Sequence, residues 1–113
     1  IHHVQRLITH IENRYTEDLH LEEMERALHL NKHYMSKMFK EVTGVTIFDY
    51  VYQRRINEAR ILMYRNRQAR ITDICYQVGF KHPAHFSRVF KERVGCTPEE
   101  FRKRVQAEIG NHS

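Results

Sequence analysis

The sequence predicts an all-α fold of seven helices, arranged as two similar units joined by one long central helix. Three observations predict it. Two Pro and four Gly in 113 residues are too few breakers for a sandwich of many short strands. Apolar residues recur at helical spacing along nearly the whole chain. A stretch of the chain is also repeated. SKMFKEVTGVT (Ser36 to Thr46) lies over SRVFKERVGCT (Ser87 to Thr97) at an offset of 51, with six of eleven positions identical.

The repeat extends upstream. LEEMERALHL (Leu21 to Leu30) matches ITDICYQVGF (Ile71 to Phe80) at an offset of 50, through the apolar pairs Leu21/Ile71, Met24/Ile74, Leu28/Val78 and Leu30/Phe80. The offset changes by one residue between Leu30 and Met35, where the second copy reads KHPAH. A turn is where an extra residue is tolerated, so each copy reads as helix, turn, helix.

The elements follow in order. Val4, Leu7, Ile8, Ile11 and Tyr15 give an opening helix, already under way at Ile1. Leu21, Met24, Ala27 and Leu28 make the next apolar face, and Asn31 stands where a helix N-cap is wanted. Met35, Met38, Phe39 and Val42 carry the third helix, which Gly44 ends. From Ile47 to about Arg65 there is no Pro or Gly, and Phe48, Val51, Tyr52, Ile56, Ala59, Leu62 and Met63 recur at helical spacing. That is one continuous helix, roughly 27 Å long at 1.5 Å per residue. In the second copy Ile71, Ile74, Cys75 and Val78 form the first face, and Gly79 suits the tight turn. Pro83 fits the first turn of the next helix, where a missing N–H costs little. Phe86, Val89, Phe90 and Val94 form its buried face, and Gly95 ends it. Thr97-Pro98-Glu99-Glu100 starts a last helix, docked by Phe101 and Val105. The expected divisions are a first subdomain over residues 1–46 (motif 21–43), the connecting helix over 47–65, a second subdomain over 66–109 (motif 71–94), and a frayed tail over 110–113.

Composition excludes several classes. With 41% hydrophobic residues the chain is not a disordered tail. No apolar run approaches the ~20 residues of a membrane helix. Nineteen Lys and Arg against fourteen Asp and Glu give a net charge of +5, with nine His able to add to it under acid conditions. The excess favours polyanionic partners, nucleic acid or an anionic membrane surface. Cys75 and Cys96 stand in apolar contexts and read as reduced core residues, which points to the cytoplasm. No signal peptide or targeting segment is apparent. The chain begins at Ile1 without an initiator Met and is expected to be a piece of a longer protein.

Once the apolar positions are buried, the second helix of the first copy offers Lys32, His33, Ser36, Lys37 and Lys40. Its counterpart offers His82, Ala84, His85, Ser87, Arg88 and Lys91. Short polar, imidazole and long basic side chains can hydrogen-bond base edges and phosphates in a major groove that admits a helix. The preceding helices are far less basic, with Glu22, Glu23 and Glu25 in one and Asp73 in the other. A helix-turn-helix needs that asymmetry, because its second helix enters the groove while the first crosses the backbone. Either face alone is equally consistent with ordinary solvated surface. Two such faces in duplicated units on a basic chain point to double-stranded DNA. Reading helices on one side of B-DNA are spaced about 34 Å apart, the scale a rigid connector supplies and a flexible linker does not. The connector's Arg54, Arg55 and Arg60 have two outcomes open to them, facing phosphates or pairing with nearby carboxylates.

YMSKMFKEVTGVTIFDYVYQRRINEARILM (Tyr34 to Met63) and ITDICYQVGFKHPAHFSRVFKERVGCTPEEFR (Ile71 to Arg102) resemble the DNA-binding domain of the AraC/XylS family of bacterial transcription regulators. The second segment is the more specific. It includes Gly79-Phe80, the run from Phe86 to Lys91, Gly95 and Thr97-Pro98. The resemblance implies a homeodomain-like, AraC-type fold with two helix-turn-helix subdomains. It implies base contacts at His33, Ser36 and Lys37, with Lys32 and Lys40 nearby, and at Ala84, His85, Ser87 and Arg88. Arg88 is the foremost candidate for a bidentate contact to guanine. Ala84 can offer apolar contact to a thymine methyl, and Lys40 and Lys91 suit phosphates or salt bridges. The resemblance also implies activation through RNA polymerase rather than repression, with dimerisation left to a separate domain and this piece monomeric. The first copy departs from the family pattern at Glu25, where a small residue is usual, and at His29, where the turn usually has Gly. Either the helix pair packs differently there, or Glu25 points outward and pairs with a nearby base.

Other classes fit less well. His2-His3 and His82 with His85 lack the spacing of a zinc motif, so no metal is expected. No Gly-rich phosphate loop, nucleophile elbow or HExxH occurs, so neither a cofactor nor an enzyme is expected. A helix-turn-helix that docks proteins instead of DNA is the remaining alternative.

Overall fold

The computed structural model describes residues 2–111. Among these the chain forms seven helices and no strand: α1 (His2–Arg14), α2 (Leu21–Leu28), α3 (Lys32–Thr43), α4 (Ile47–Arg65), α5 (Ile71–Gln77), α6 (Pro83–Val94) and α7 (Pro98–Asn111). The tail expected to fray at Gly110 is instead helical through Asn111, since α7 continues to that residue. Ile1 and residues 112 and 113 lie outside the described residues.

Backbone contacts divide the chain into a unit ending at Arg54 and a unit beginning at Arg55, so the boundary falls inside α4. In the first unit Val4, Leu7 and Ile11 of α1 join Leu19, Met24, Leu28, Met35, Phe39, Ile47 and Val51 in one buried cluster. In the second, Ile56, Ala59 and Met63 of α4 are buried, as are Ile74, Cys75, Val78, Phe80, Phe86, Val89, Phe90, Cys96 and Val105. Both cysteines are thus free and buried.

Local chemistry sets the ends of these helices. Asn31 Oδ1 accepts hydrogen bonds from the backbone N–H groups of His33 and Tyr34 at 2.9 and 3.1 Å, capping α3. Gly44 and Gly95 close α3 and α6 in the left-handed region, at φ 83° and 98°. Thr46 and Asp49 exchange side-chain-to-backbone bonds at the start of α4, as Thr97 and Glu100 do at the start of α7. The backbone N–H of Thr97 accordingly holds the Glu100 carboxyl below its usual range.

Two apolar expectations need correction. Ala27 is exposed, because the buried stripe of α2 runs through Met24 and Leu28 and Ala27 lies about a quarter-turn away. Val42 sits a turn beyond Met38 and is 55% exposed.

Candidate nucleic-acid interface

Each candidate face begins with its helix pair. In the first unit α2 ends at His29, which takes φ 57° where the second unit has Gly79 at φ 111°. The His29 and Leu30 N–H groups both return to the Glu25 carbonyl, and Arg6 of α1 donates to the Leu28 carbonyl at 2.8 Å. In the second unit Phe80 N–H returns to the Cys75 carbonyl at 3.1 Å. His29 therefore makes the same turn as Gly79, in a left-handed conformation that His visits more readily than most residues.

Glu25 is half-buried and takes a backbone partner rather than the basic side chain expected of an outward-pointing carboxylate. Its Oε2 accepts the backbone N–H of Lys32, the first residue of α3, at 2.9 Å. With Asn31 accepting from His33 and Tyr34, and the Asn31 carbonyl from Met35, the N–H groups of the first turn of α3 are all satisfied. The repeat explains the substitution. The counterpart of Glu25 is Cys75, and that of Lys32 is Pro83, which has no N–H to satisfy. The carboxylate occurs in the unit that has the donor. An alignment of the two copies that read both positions together would have found this.

The presented side chains fall into matching arcs. On α3, Lys32, Ser36, Lys40, His33 and Lys37 cover about 140° of the helix surface. His33, Lys37 and Lys40 are exposed, and Lys32 and Ser36 are half-buried. On α6, Ser87, Lys91, Ala84, Arg88 and His85 cover about 160°. Ala84, Arg88 and Lys91 are exposed, and Ser87 and His85 are half-buried. His82 is exposed at the N-cap of α6, where its side chain makes no capping bond. None of the eleven candidates is buried, and within each unit they share one helix and its entry.

Several are already engaged. Lys32 Nζ meets Glu22 Oε2 at 3.3 Å. Lys40 Nζ donates to the Gly44 carbonyl at 3.0 Å, favourable for a cation at a helix C-terminus. His85 packs edge-on against Phe80, with ring centroids 5.4 Å apart. Burial, and then the Arg88 guanidinium, hold its imidazole below the ordinary pKa, which favours the neutral ring. Tyr34, the counterpart of His85, escaped the sequence reading. It is 48% exposed, and its hydroxyl lies 3.1 Å from His3 Nδ1. A shallow groove of about 200 Å³ runs beside it, lined by Lys37, Met38 and Glu41.

The connector arginines separate. Arg54 pairs with Glu12 at 2.9 Å and lies over the Tyr15 ring at 4.3 Å, the carboxylate outcome. Arg55 does not face phosphates. It is 6% exposed, with its guanidinium 5.4 Å from the Phe80 ring centroid. It adjoins the buried Ile56 on α4, where a long aliphatic stem packs well. Arg60 is exposed, with its guanidinium 5.8 Å from the Phe101 ring centroid.

Among the described residues, no group of three or more His, Cys, Asp or Glu could hold a metal ion. No helix there is long and apolar enough to cross a membrane.

Comparison with known proteins agrees with this geometry. Residues 24–104 match the family described as a helix-turn-helix domain. The regulatory protein SoxS of Escherichia coli is 31% identical over 102 residues, covering 90% of this chain and 94% of SoxS. The bifunctional transcriptional activator/DNA repair enzyme AdaA of Bacillus subtilis is 33% identical over 103 residues, covering 90% of this chain and 48% of AdaA. The chain likewise spans between about a third and three-fifths of several other curated relatives. The DNA-binding domain of AdpA, solved in complex with a target DNA, superposes with a TM-score of 0.83 at 15% identity, covering 93% of this chain and 94% of that one, which is a likeness of fold. Together, the paired helix-turn-helix units, the family match and the similarity to SoxS show that the chain belongs to the AraC-type helix-turn-helix family of transcription regulators.

Proposed function

We propose that the chain binds double-stranded DNA in a sequence-specific manner, with α3 and α6 reading adjacent major-groove segments. One observation carries the reading. Two helices closed by a left-handed glycine, each the second of a helix-turn-helix pair, present Ser36, Lys37 and Lys40 and, 51 residues on, Ser87, Arg88 and Lys91. The AdpA domain bound to its target DNA supports it at the level of fold.

His33, Ser36, Lys37, Ala84, His85, Ser87 and Arg88 are the proposed base-facing set. Lys40, His82 and Lys91 are the proposed flanking set, with Lys32 beside them at the entry of α3, where Glu22 and Glu25 engage it. The whole protein is proposed to act in the cytoplasm as an activator that touches RNA polymerase, which the naming of AdaA as an activator favours. In this reading the chain acts as a monomer without metal or cofactor.

Selection from random duplexes, followed by titration of the selected duplex at ~50 and ~200 mM salt, tests the reading. A DNA reader loses affinity steeply over that range. Absence of binding at the lower salt excludes it and leaves the protein-docking alternative.

A further inference from the structure

The two reading helices differ most at their N-terminal ends, where a major-groove helix makes much of its contact. The entry to α3 carries two carboxylates. Glu22 Oε2 lies 3.3 Å from Lys32 Nζ, and Glu25 Oε2 accepts the Lys32 backbone N–H at 2.9 Å. Lys32 is therefore held by α2 through its ammonium and through its main chain. The positive end of the α3 dipole is worth about half a charge. Adding it to Lys32 and subtracting both carboxylates leaves the local balance negative. Glu22 is also held ionised. A hydrogen bond with its own backbone, and then the Lys32 ammonium, lower its carboxyl pKa.

The entry to α6 has the opposite character. The counterparts of Glu22 and Glu25 are Thr72 and Cys75, both uncharged, and that of Lys32 is Pro83. Lys81 and His82 stand exposed just before it. Counted over the groups named, the first entry is net negative and the second is not.

We infer that Glu22 and Glu25 form an anionic screen at the entry of α3, which keeps Lys32 from the phosphate backbone and weights the sequence-independent grip towards the second unit. The inference rests on the DNA-binding reading proposed above. The screen removes Lys32 from the phosphate contacts of the first unit and leaves Lys40 as its candidate. That lowers binding to unrelated DNA more than binding to the correct site. Glu22 and Glu25 touch Lys32 and are not themselves assigned to the DNA, so they are positioning residues.

The test compares the intact chain with Glu22→Gln, Lys32→Ala and the double variant on a selected and an unrelated duplex across 50–200 mM salt. Glu22 is exposed, so its amide variant retains the fold, and thermal melting of each chain confirms that. Glu22→Gln is expected to tighten binding to both duplexes and to add one phosphate contact. Its affinity should then fall about 3-fold more steeply over that fourfold salt range. Lys32→Ala alone should leave the salt slope unchanged, and the double variant should lose the gain. Equal slopes for the intact chain and Glu22→Gln would overturn the inference, as would a slope reduced by Lys32→Ala alone. Absence of binding by every chain at 50 mM salt removes the DNA-binding reading itself, and the inference with it.

Discussion

Phe39 meets Tyr50 edge-on with ring centroids 6.0 Å apart, and 51 residues along the chain Phe90 meets Phe101 in the same geometry at 5.6 Å. The repeat thus continues into the helix after α3 and after α6. The beginning of α4 serves the first unit as α7 serves the second, down to the Thr46/Asp49 and Thr97/Glu100 capping pairs. The rest of α4 does the work of α1. Buried Ile56, Ala59 and Met63 have the spacing of buried Val4, Leu7 and Ile11. Two four-helix units need seven helices because α4 belongs to both.

The buried aromatic at the centre of each unit should be hard to replace. Phe39 and Phe90 are fully buried. Phe39→Ala and Phe90→Ala should each cost about 3–5 kcal/mol in urea unfolding. Tyr50→Phe keeps the ring and removes a half-exposed hydroxyl bonded to Glu12 at 3.0 Å, so it should cost about 1 kcal/mol or less. A Phe39→Ala cost below that of Tyr50→Phe would contradict the packing described.

The turn of the first unit should accept glycine with profit. His29 is exposed at φ 57°, so removing its Cβ relieves backbone strain and loses little packing. His29→Gly should raise stability by about 0.5 kcal/mol, strain relief outweighing the added freedom of the unfolded chain. Gly79→Ala, at φ 111°, should lower stability by more than about 1 kcal/mol. Matched thermal melts give both signs.

Helix order and most caps were legible because local rules fix them. Asn31, Gly44, Pro83 and Gly95 each stand where a helix must start or stop. Burial was less legible where a residue's angle on the helix was misread, as at Ala27, or where the helix outruns its partners, as at Val42. Arg55 shows the limit of reading by residue type. Its charge suggested the surface, but its position on α4 put its guanidinium beside the Phe80 ring. The role of Glu25 depended on a donor seven residues away across a turn, and no helical periodicity marks that relation.

Neither thiol should react in the folded chain. Burial raises the Cys75 pKa from 9.0 to about 11, and Cys96 is buried as well. At pH 8 a thiol-specific disulfide reagent should modify both at the rate of unfolding, and denaturant should release both at once. Because the folded pKa lies above the unfolded one, Cys75 supports the fold fully below pH 9 and progressively less as pH rises towards 11. Cys75→Ala should flatten that alkaline decline. Rapid labelling of the native chain would place a thiol at the surface.

Acid should act through His85. Its folded pKa is lowered by burial, then by Arg88, Arg55 and His82, with Glu92 opposing. A lowered value means stability is present above the unfolded pKa of 6.5 and is lost as pH falls below it. His10, also lowered by burial, adds a decline of the same sign. His85→Gln should therefore make the loss of stability between about pH 7 and 5 shallower without abolishing it. Identical pH profiles for the two chains would show that His85 does not titrate against the fold.

Arg88 and Lys91 should fail in different ways. Both are exposed on α6, a turn or less apart. Arg88 can present a planar fork of donors matched to two acceptors on guanine, and Lys91 carries a point charge suited to a phosphate. Arg88→Ala should cost about 1–3 kcal/mol on the selected duplex, much less on an unrelated one, and relax preference at one base pair. Lys91→Ala should weaken both duplexes alike and lower the salt slope by about one. Repeating the selection with each variant separates them. A single changed column identifies a base reader, and an unchanged sequence preference with a shallower slope identifies a phosphate contact. If Arg88→Ala gave the second pattern, the base-reading role would pass to its neighbours Ala84, His85 and Ser87.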